Sequence, residues 1–309
     1  MKAAETISIR AEMAGAAEVT VRRFAESAST DVPDSVAVEE PLEIRIEYGP
    51  RDVRATKSIS VTMRTPGSDA ELAVGFLLTE GVIRDADDVD TIASSNFSPD
   101  DASRLDPELH DHSILRTKRG APNIVTVELR PHIEVNTAAL ARNFYTTSSC
   151  GVCGKASLLA LRAVCPARLA NTFTIEAEAL HRIPGLLRVN QNVFQQTGGL
   201  HAAALFDCAG GLDSMREDVG RHNALDKLIG AAALADRLPL RDRILLLSGR
   251  SSFELLQKAV MSGIPMVAAV GAPSSLAIEV AKDFDVTLIG FLREGHFNVY
   301  HGAERVQAS

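Results

Sequence analysis

Three continuous apolar runs in the second half of the chain constrain the fold most. They are Arg243-Ile244-Leu245-Leu246-Leu247-Ser248, the run from Ile264 to Val270, and the run from Val286 to Phe291. Each is short and lacks the polar alternation of a half-exposed strand, so each reads as a strand buried on both faces. Between the first two, a helix is expected from about Ser252 to Met261; between the last two, another runs through Lys282. Strand–helix–strand–helix–strand with such strands calls for parallel pairing in an α/β sheet with helices on its faces.

The first half has a different rhythm. Leu42, Ile44 and Ile46 alternate with charged residues, and Ile59, Val61 and Met63 with polar ones, as in half-buried strands. Thr65-Pro66-Gly67 turns the chain. Ser68-x-x-Glu71 has the form of a capping box that opens a helix through Leu72, Val74, Phe76 and Leu77, closed near Gly81. Residues 85–113 are acidic and polar and read as a surface excursion, and Ile124–Leu129 as a further strand. Residues 1–38 lack a sustained apolar period and are expected to form a poorly ordered tail. The expected organisation is therefore a tail (1–38), a strand-rich lobe (39–145), a mobile loop (146–156) and an α/β core (157–309).

No run resembles a signal peptide or is apolar for long enough to span a bilayer, so we expect a cytoplasmic protein without a membrane partner. The net charge of −8 argues against a nucleic-acid surface. Four cysteines are too few for a disulfide scaffold at this length. Two of them stand in Ser148-Ser149-Cys150-Gly151-Val152-Cys153-Gly154-Lys155. Glycines make this segment permissive, and a nearby ammonium favours the thiolate, which is the nucleophilic form. Cys150 and Cys153 thus read as a reactive thiol pair. A zinc site would need two more soft ligands. A thioredoxin-type dithiol would follow a strand directly, and this pair follows a polar run. Cys165 and Cys208, isolated among apolar or small residues, read as core residues.

Five other segments carry chemistry. Thr197-Gly198-Gly199-Leu200-His201 invites comparison with zinc deaminases, which use His-x-Glu followed by Pro-Cys-x-x-Cys. Here the second position after His201 is Ala203 and the cysteine pair precedes the histidine, so the proton shuttle is missing. A helix-start residue is the other reading of His201. In Glu217-Asp218-Val219-Gly220-Arg221-His222-Asn223, Asn223 reads as a helix cap, while Arg221 and His222 suit a phosphate or a pterin edge. Ser248-Gly249-Arg250-Ser251-Ser252 and Gly271-Ala272-Pro273-Ser274-Ser275 each follow a buried strand and open a helix, which suggests a double phosphate cradle. Neither is a P-loop. Phe291-Leu292-Arg293-Glu294-Gly295-His296 ends the third strand along the same rim.

From about Pro41 onward the chain resembles the formate dehydrogenase accessory sulfurtransferases, the FdhD family. The resemblance rests on Met63-Arg64-Thr65-Pro66-Gly67, Gly75-Phe76-Leu77-Leu78-Thr79-Glu80-Gly81, the Cys150–Cys153 loop, Thr197–His201, Glu217–Asn223, Ser248-Gly249-Arg250 and Gly290-Phe291. It implies a cytidine-deaminase-like sheet core, a smaller strand-rich N-terminal lobe and a homodimer. It also implies a sulfur carrier. Cys150 would take sulfur from a cysteine desulfurase as a persulfide, with Cys153 as the second thiol. The sulfur would pass to Mo-bis(molybdopterin guanine dinucleotide) before insertion into the formate dehydrogenase catalytic subunit. The acceptor would be held by Phe291–His296, Ser248–Arg250, Arg221 and His222. A non-catalytic cofactor chaperone with a regulatory or zinc-binding cysteine pair is the alternative.

Overall fold

The computed structural model describes residues 15–25, 28–96, 123–135, 161–162 and 173–308. The chain opens on a hairpin, β1 (Ala16–Ala25) against β2 (Ala28–Ala37), paired antiparallel in one unbroken register. This corrects the expectation of an unstructured tail over its second half. Val19, Val21, Val32 and Val36 share one face of the ribbon, a β-branched stripe too short and too interrupted to register as a sustained apolar period. The base of the hairpin is tied by Val38 N–H to Gly15 O at 2.8 Å.

β3 (Glu40–Tyr48), β4 (Ala55–Arg64), helix α1 (Asp69–Thr79), β5 (Val89–Ser95) and β6 (Ile124–Leu129) follow. The strands form a four-stranded sheet in the order β4-β3-β6-β5. β3 is buried on both faces rather than one. Its charged alternation is satisfied internally: Arg45 holds Glu43, two residues away on the same face, with a pair of 2.8 Å hydrogen bonds. β5 lies within the stretch read as a surface excursion. It is an edge strand, so it needs few apolar residues, and its polarity hid it. Ser68 does not act as a side-chain cap. It sits in the left-handed region at φ 57°, and Glu71 is held instead by Arg216.

The second half adds β7 (Ile175–Glu176), α2 (Ala177–Asn190), α3 (Asn192–Thr197), β8 (His201–Phe206), β9 (Leu212–Asp218), α4 (Arg221–Leu234), β10 (Ile244–Leu247), α5 (Phe253–Met261), β11 (Met266–Ala269), α6 (Ser275–Phe284), β12 (Thr287–Gly290), β13 (Asn298–His301) and β14 (Val306–Gln307). The large sheet runs β13-β12-β11-β10-β8-β9. β10, β11 and β12 are parallel, as their apolar runs require, while β8 is antiparallel to β10. The fold is mixed α/β. No helix among the described residues is long and apolar enough to cross a membrane.

Two helices unite the sheets. α1 and α4 lie between them, so one core takes Leu42, Ile44 and Ile46 from β3 and Leu245 and Leu247 from β10. α2 covers the opposite face of the large sheet, on Ala202, Ala204, Phe206 and Leu246. The crossing of α1 and α4 is close because both carry glycine at the contact. A Cβ on Gly75 would fall 1.9 Å from Asp226 O, and one on Gly230 would fall 1.8 Å from Glu71 O. Backbone atoms cannot yield as a flexible side chain can, so the helices would have to separate. Gly75→Ala and Gly230→Ala are each expected to cost about 3 kcal/mol, the upper end for an overpacked contact, measured by denaturant unfolding. A loss below ~1 kcal/mol would contradict the close crossing.

Candidate functional site

The carboxyl ends of β10, β11 and β12 open into a cleft of about 450 Å³ between the sheet edge and α2–α3. Ser248, Val270 and Leu292, the residues just past those strands, form its floor with Arg293; Pro184, Leu187, Arg188, Gln191 and Phe194 form the helical wall; Gly198–His201 close one end. This is where parallel α/β sheets offer a crevice to ligands. The described residues lining it include two arginines and no carboxylate, in a chain of net charge −8.

Ser248 is built into the strand tips. Its N–H donates to Ala202 O at 3.0 Å and its Oγ accepts from Ala202 N–H at 2.9 Å. Arg293 is fastened to the floor through Nη1, which donates to Val270 O and Leu292 O at 2.7 and 2.8 Å. Phe291 leads into this loop at φ 54°, a left-handed conformation that a bulky residue rarely adopts, and 40% of it is exposed. Arg293, Glu294, Gly295 and His296 are exposed. Leu292 alone of the segment is buried.

The two Gly/Ser turns are adjacent, as the cradle reading requires, but much of their hydrogen bonding is spent on each other. Gly271 N–H donates to Gly249 O at 2.8 Å, Ser251 N–H to Ala272 O at 3.2 Å and Ser274 N–H to Ser251 O at 3.0 Å. They extend the parallel ladder past the strand ends, which leaves fewer free donors than a double cradle supposes. Gly249 and Arg250 stay at the surface of this turn, Gly249 against the His201 ring.

Arg221 and His222 do not line the cleft. They open α4 behind His201, where His222 Nε2 lies 4.0 Å from Glu254 Oε2. Arg221 Nε and His222 Nε2 are buried, and neither has a hydrogen-bond partner among the described residues. Burial lowers the His222 pKa to about 4, assisted by the charges of Lys258 and Arg221. Burial lowers that of His201 as well, with the Arg221 charge adding to it. His201 begins strand β8 rather than a helix, because the alanines after it are buried between α2 and α4. Asn223 lies inside the first turn of α4 and does not cap it; its Nδ2 donates to Met63 O at 2.8 Å.

Cys150, Cys153 and Cys165 lie outside the described residues. Cys208 is not a core residue. It is exposed on the β8–β9 turn, where Asp207 Oδ1 accepts from Ala209 and Gly211 N–H at 2.9 and 2.8 Å.

The family model described as FdhD/NarQ matches residues 37–307. The chain belongs to the FdhD/NarQ family. Within the family, it is 46% identical over 288 residues to the sulfur carrier protein FdhD of Streptomyces coelicolor, covering 93% of this chain and 94% of that one. It is 49% identical over 282 residues to the sulfur carrier protein FdhD of Mycolicibacterium paratuberculosis, covering 89% and 92%. The fold is shared with a crystal structure described as a formate dehydrogenase accessory protein from Desulfotalea psychrophila, at TM-score 0.67 and 20% identity over 95% of this chain and 100% of that one.

The cleft also holds residues that sequence reasoning passed over. Arg188, Gln191 and Phe194 come from a polar stretch, 188–197, whose one aromatic residue precedes Gly198-Gly199. In a chain this poor in aromatics, that lone phenylalanine was the available signal.

His222 is only partly buried, its side chain 38% exposed, but its enclosed Nε2 has a measurable consequence. Its folded-state pKa lies below the unfolded value of about 6.5, so the unfolded chain binds the extra proton first. This histidine therefore lowers stability as pH falls from about 6.5 toward 4, and the loss is complete below its folded pKa of about 4. Ring-nitrogen NMR should find it neutral at pH 5.5; a protonated His222 at that pH would contradict the lowered pKa.

Proposed function

We propose that this chain is a sulfur carrier protein, a sulfurtransferase of formate dehydrogenase maturation. Cys150 accepts sulfur, and the cleft at the strand tips holds the molybdenum cofactor that receives it. The observation that carries this reading is the cleft's electrostatics: among the described lining residues stand Arg188, Arg293 and Phe194 and no carboxylate, in an acidic protein. Arginine suits phosphate and an aromatic ring suits a planar base. A guanine dinucleotide arm has both. The two curated relatives are named sulfur carriers, which supports the same reading.

The sulfur step balances without an outside oxidant. A cysteine desulfurase presents an enzyme-bound persulfide. The Cys150 thiolate attacks its outer sulfur, the S–S bond to the desulfurase cysteine breaks, and that cysteine leaves as thiolate. Cys150 then carries the persulfide, with Cys153 as a second thiol two residues on. The acceptor substrate is Mo-bis(molybdopterin guanine dinucleotide), destined for the formate dehydrogenase catalytic subunit. Ser248–Arg250 and Phe291–His296 border the acceptor from the sheet side. Arg221 and His222 stand behind His201, and Arg221 Nε and His222 Nε2, which lack hydrogen-bond partners among the described residues, are free to bond to whatever fills the space beside them. In the core, β8 runs antiparallel to a parallel set of three, which supports the deaminase-like reading of the sheet. Ala203, fully buried, replaces the deaminase glutamate.

Peptide mass spectrometry after incubation with a cysteine desulfurase and cysteine tests this. A 32-Da adduct, the mass of one sulfur atom (~32 Da), is expected on the Cys150 peptide and is expected to vanish in Cys150→Ala. An unloaded protein, under conditions that load a known acceptor, would refute the carrier reading.

A further inference from the structure

Gln191 is 6% exposed, yet its side-chain amide has no hydrogen-bond partner among the described residues. It occupies the joint between two helices, ending α2 and preceding α3 at φ −78° and ψ 75°. A polar residue at such a position commonly caps the second helix with its side chain. Gln191 makes no cap bond, because Glu217 of β9 has taken that role. The Glu217 carboxylate accepts from Val193 N–H at 3.2 Å and from Phe194 N–H at 3.0 Å. The Gln191 amide is thus left to the cleft, whose helical wall it lines. An enclosed amide with unused hydrogen-bonding capacity is costly unless a ligand fills it. Arg188 and Phe194 flank it, three residues to either side, and line the same wall. Phe194 offers a ring face to a planar group. Arg188 and Arg293 can only donate. The amide of Gln191 adds what the arginines lack, an acceptor set beside a donor in one plane.

We infer that Gln191 is the residue that reads the base of the acceptor's nucleotide arm, and that it selects a 6-oxopurine. In that pairing Nε2 donates to O6 and Oε1 accepts from N1–H, while the ring lies against Phe194. The inference rests on the assignment of the cleft to the sulfur acceptor. An amide could meet the adenine edge only by turning over. The amino group at C6 of adenine would then enter a lining rich in donors, whereas O6 suits it. The exocyclic amino group at C2 takes no part in this pairing, so hypoxanthine serves as well as guanine. Gln191 has no part in the sulfur step. It is a specificity residue: it chooses the base, and the arginines hold the phosphates whatever the base is.

Calorimetric titration of guanosine, inosine and adenosine diphosphates and of pyrophosphate into the full-length protein and into Gln191→Leu tests the inference. Leucine keeps much of the volume and removes both hydrogen-bonding groups. The wild type is expected to bind the guanosine and inosine diphosphates alike and the adenosine diphosphate roughly tenfold or more weakly, the value of a two-bond amide–base pair. Gln191→Leu is expected to weaken the first two by a similar factor, so that the preference over adenosine disappears. Its pyrophosphate constant should match the wild type's, because the arginines are untouched. Three results would overturn the inference alone: a variant that keeps the wild-type preference, a wild type that binds adenosine diphosphate as tightly as guanosine diphosphate, or a variant that loses pyrophosphate as well, which would make Gln191 a structural residue. A wild type that binds none of the nucleotides would refute the acceptor assignment and this inference with it.

Discussion

One buried carboxylate organises the ground beneath the site. Asp218 is fully buried, and Lys227 Nζ lies 2.7 Å from its Oδ2. It accepts hydrogen bonds from the N–H groups of Thr65 and Gly220 and from Asn223 Nδ2, at 3.1, 2.8 and 3.0 Å. Lys227 also donates to Thr65 O at 2.7 Å. A buried pair of charges is tolerated only when its remaining hydrogen-bonding capacity is filled, as it is here. The result is a three-way junction. The turn after β4, the end of β9 and the start of α4 are pinned to one point, so the strand-rich lobe and the parallel core cannot shift independently.

The candidate residues Arg221, His222 and His201 are arranged around that junction. Gly220-Arg221-His222 leave it as the first turn of α4, and His201 lies across from Asp218 on the neighbouring strand. The close α1–α4 crossing then fixes the helix that carries Arg221 against both sheets. On the other side of the strand tips, α2 and α3 complete the cleft. Rigid elements therefore position the arginines and Phe194, while the parallel strands end in small residues that leave room above them. Under the proposed function, that rigidity is what holds the sulfur acceptor still.

The parallel core was legible because its signal is coarse: apolar runs of fixed length at regular spacing survive any detail of packing. The strand tips and the segment from Ser248 and from Phe291 were legible for the same reason, since they must lie where those runs end. What failed was local. The Ser68-x-x-Glu71 pattern is a capping box only if Glu71 is unclaimed, and Arg216, 145 residues away, claims it. Charged alternation in β3 suggested one wet face, yet Glu43 and Arg45 neutralise each other inside the protein. The hairpin and β5 escaped because exposed strands need few apolar residues. Arg188 and Phe194 reach the cleft through tertiary packing that spacing cannot encode. The FdhD/NarQ resemblance, carried by ordered motifs over most of the chain, was fully readable from sequence.

The measurement that bears most directly on the account is calorimetric titration of guanosine diphosphate into the full-length protein and into Arg188→Ala and Arg293→Ala. If the cleft holds a guanine dinucleotide arm, the diphosphate binds the wild type and each substitution weakens it by about tenfold to a hundredfold, the value of a hydrogen bond to a charged group. Binding of equal strength in all three proteins, or no binding to the wild type, would contradict the assignment of the cleft to the sulfur acceptor.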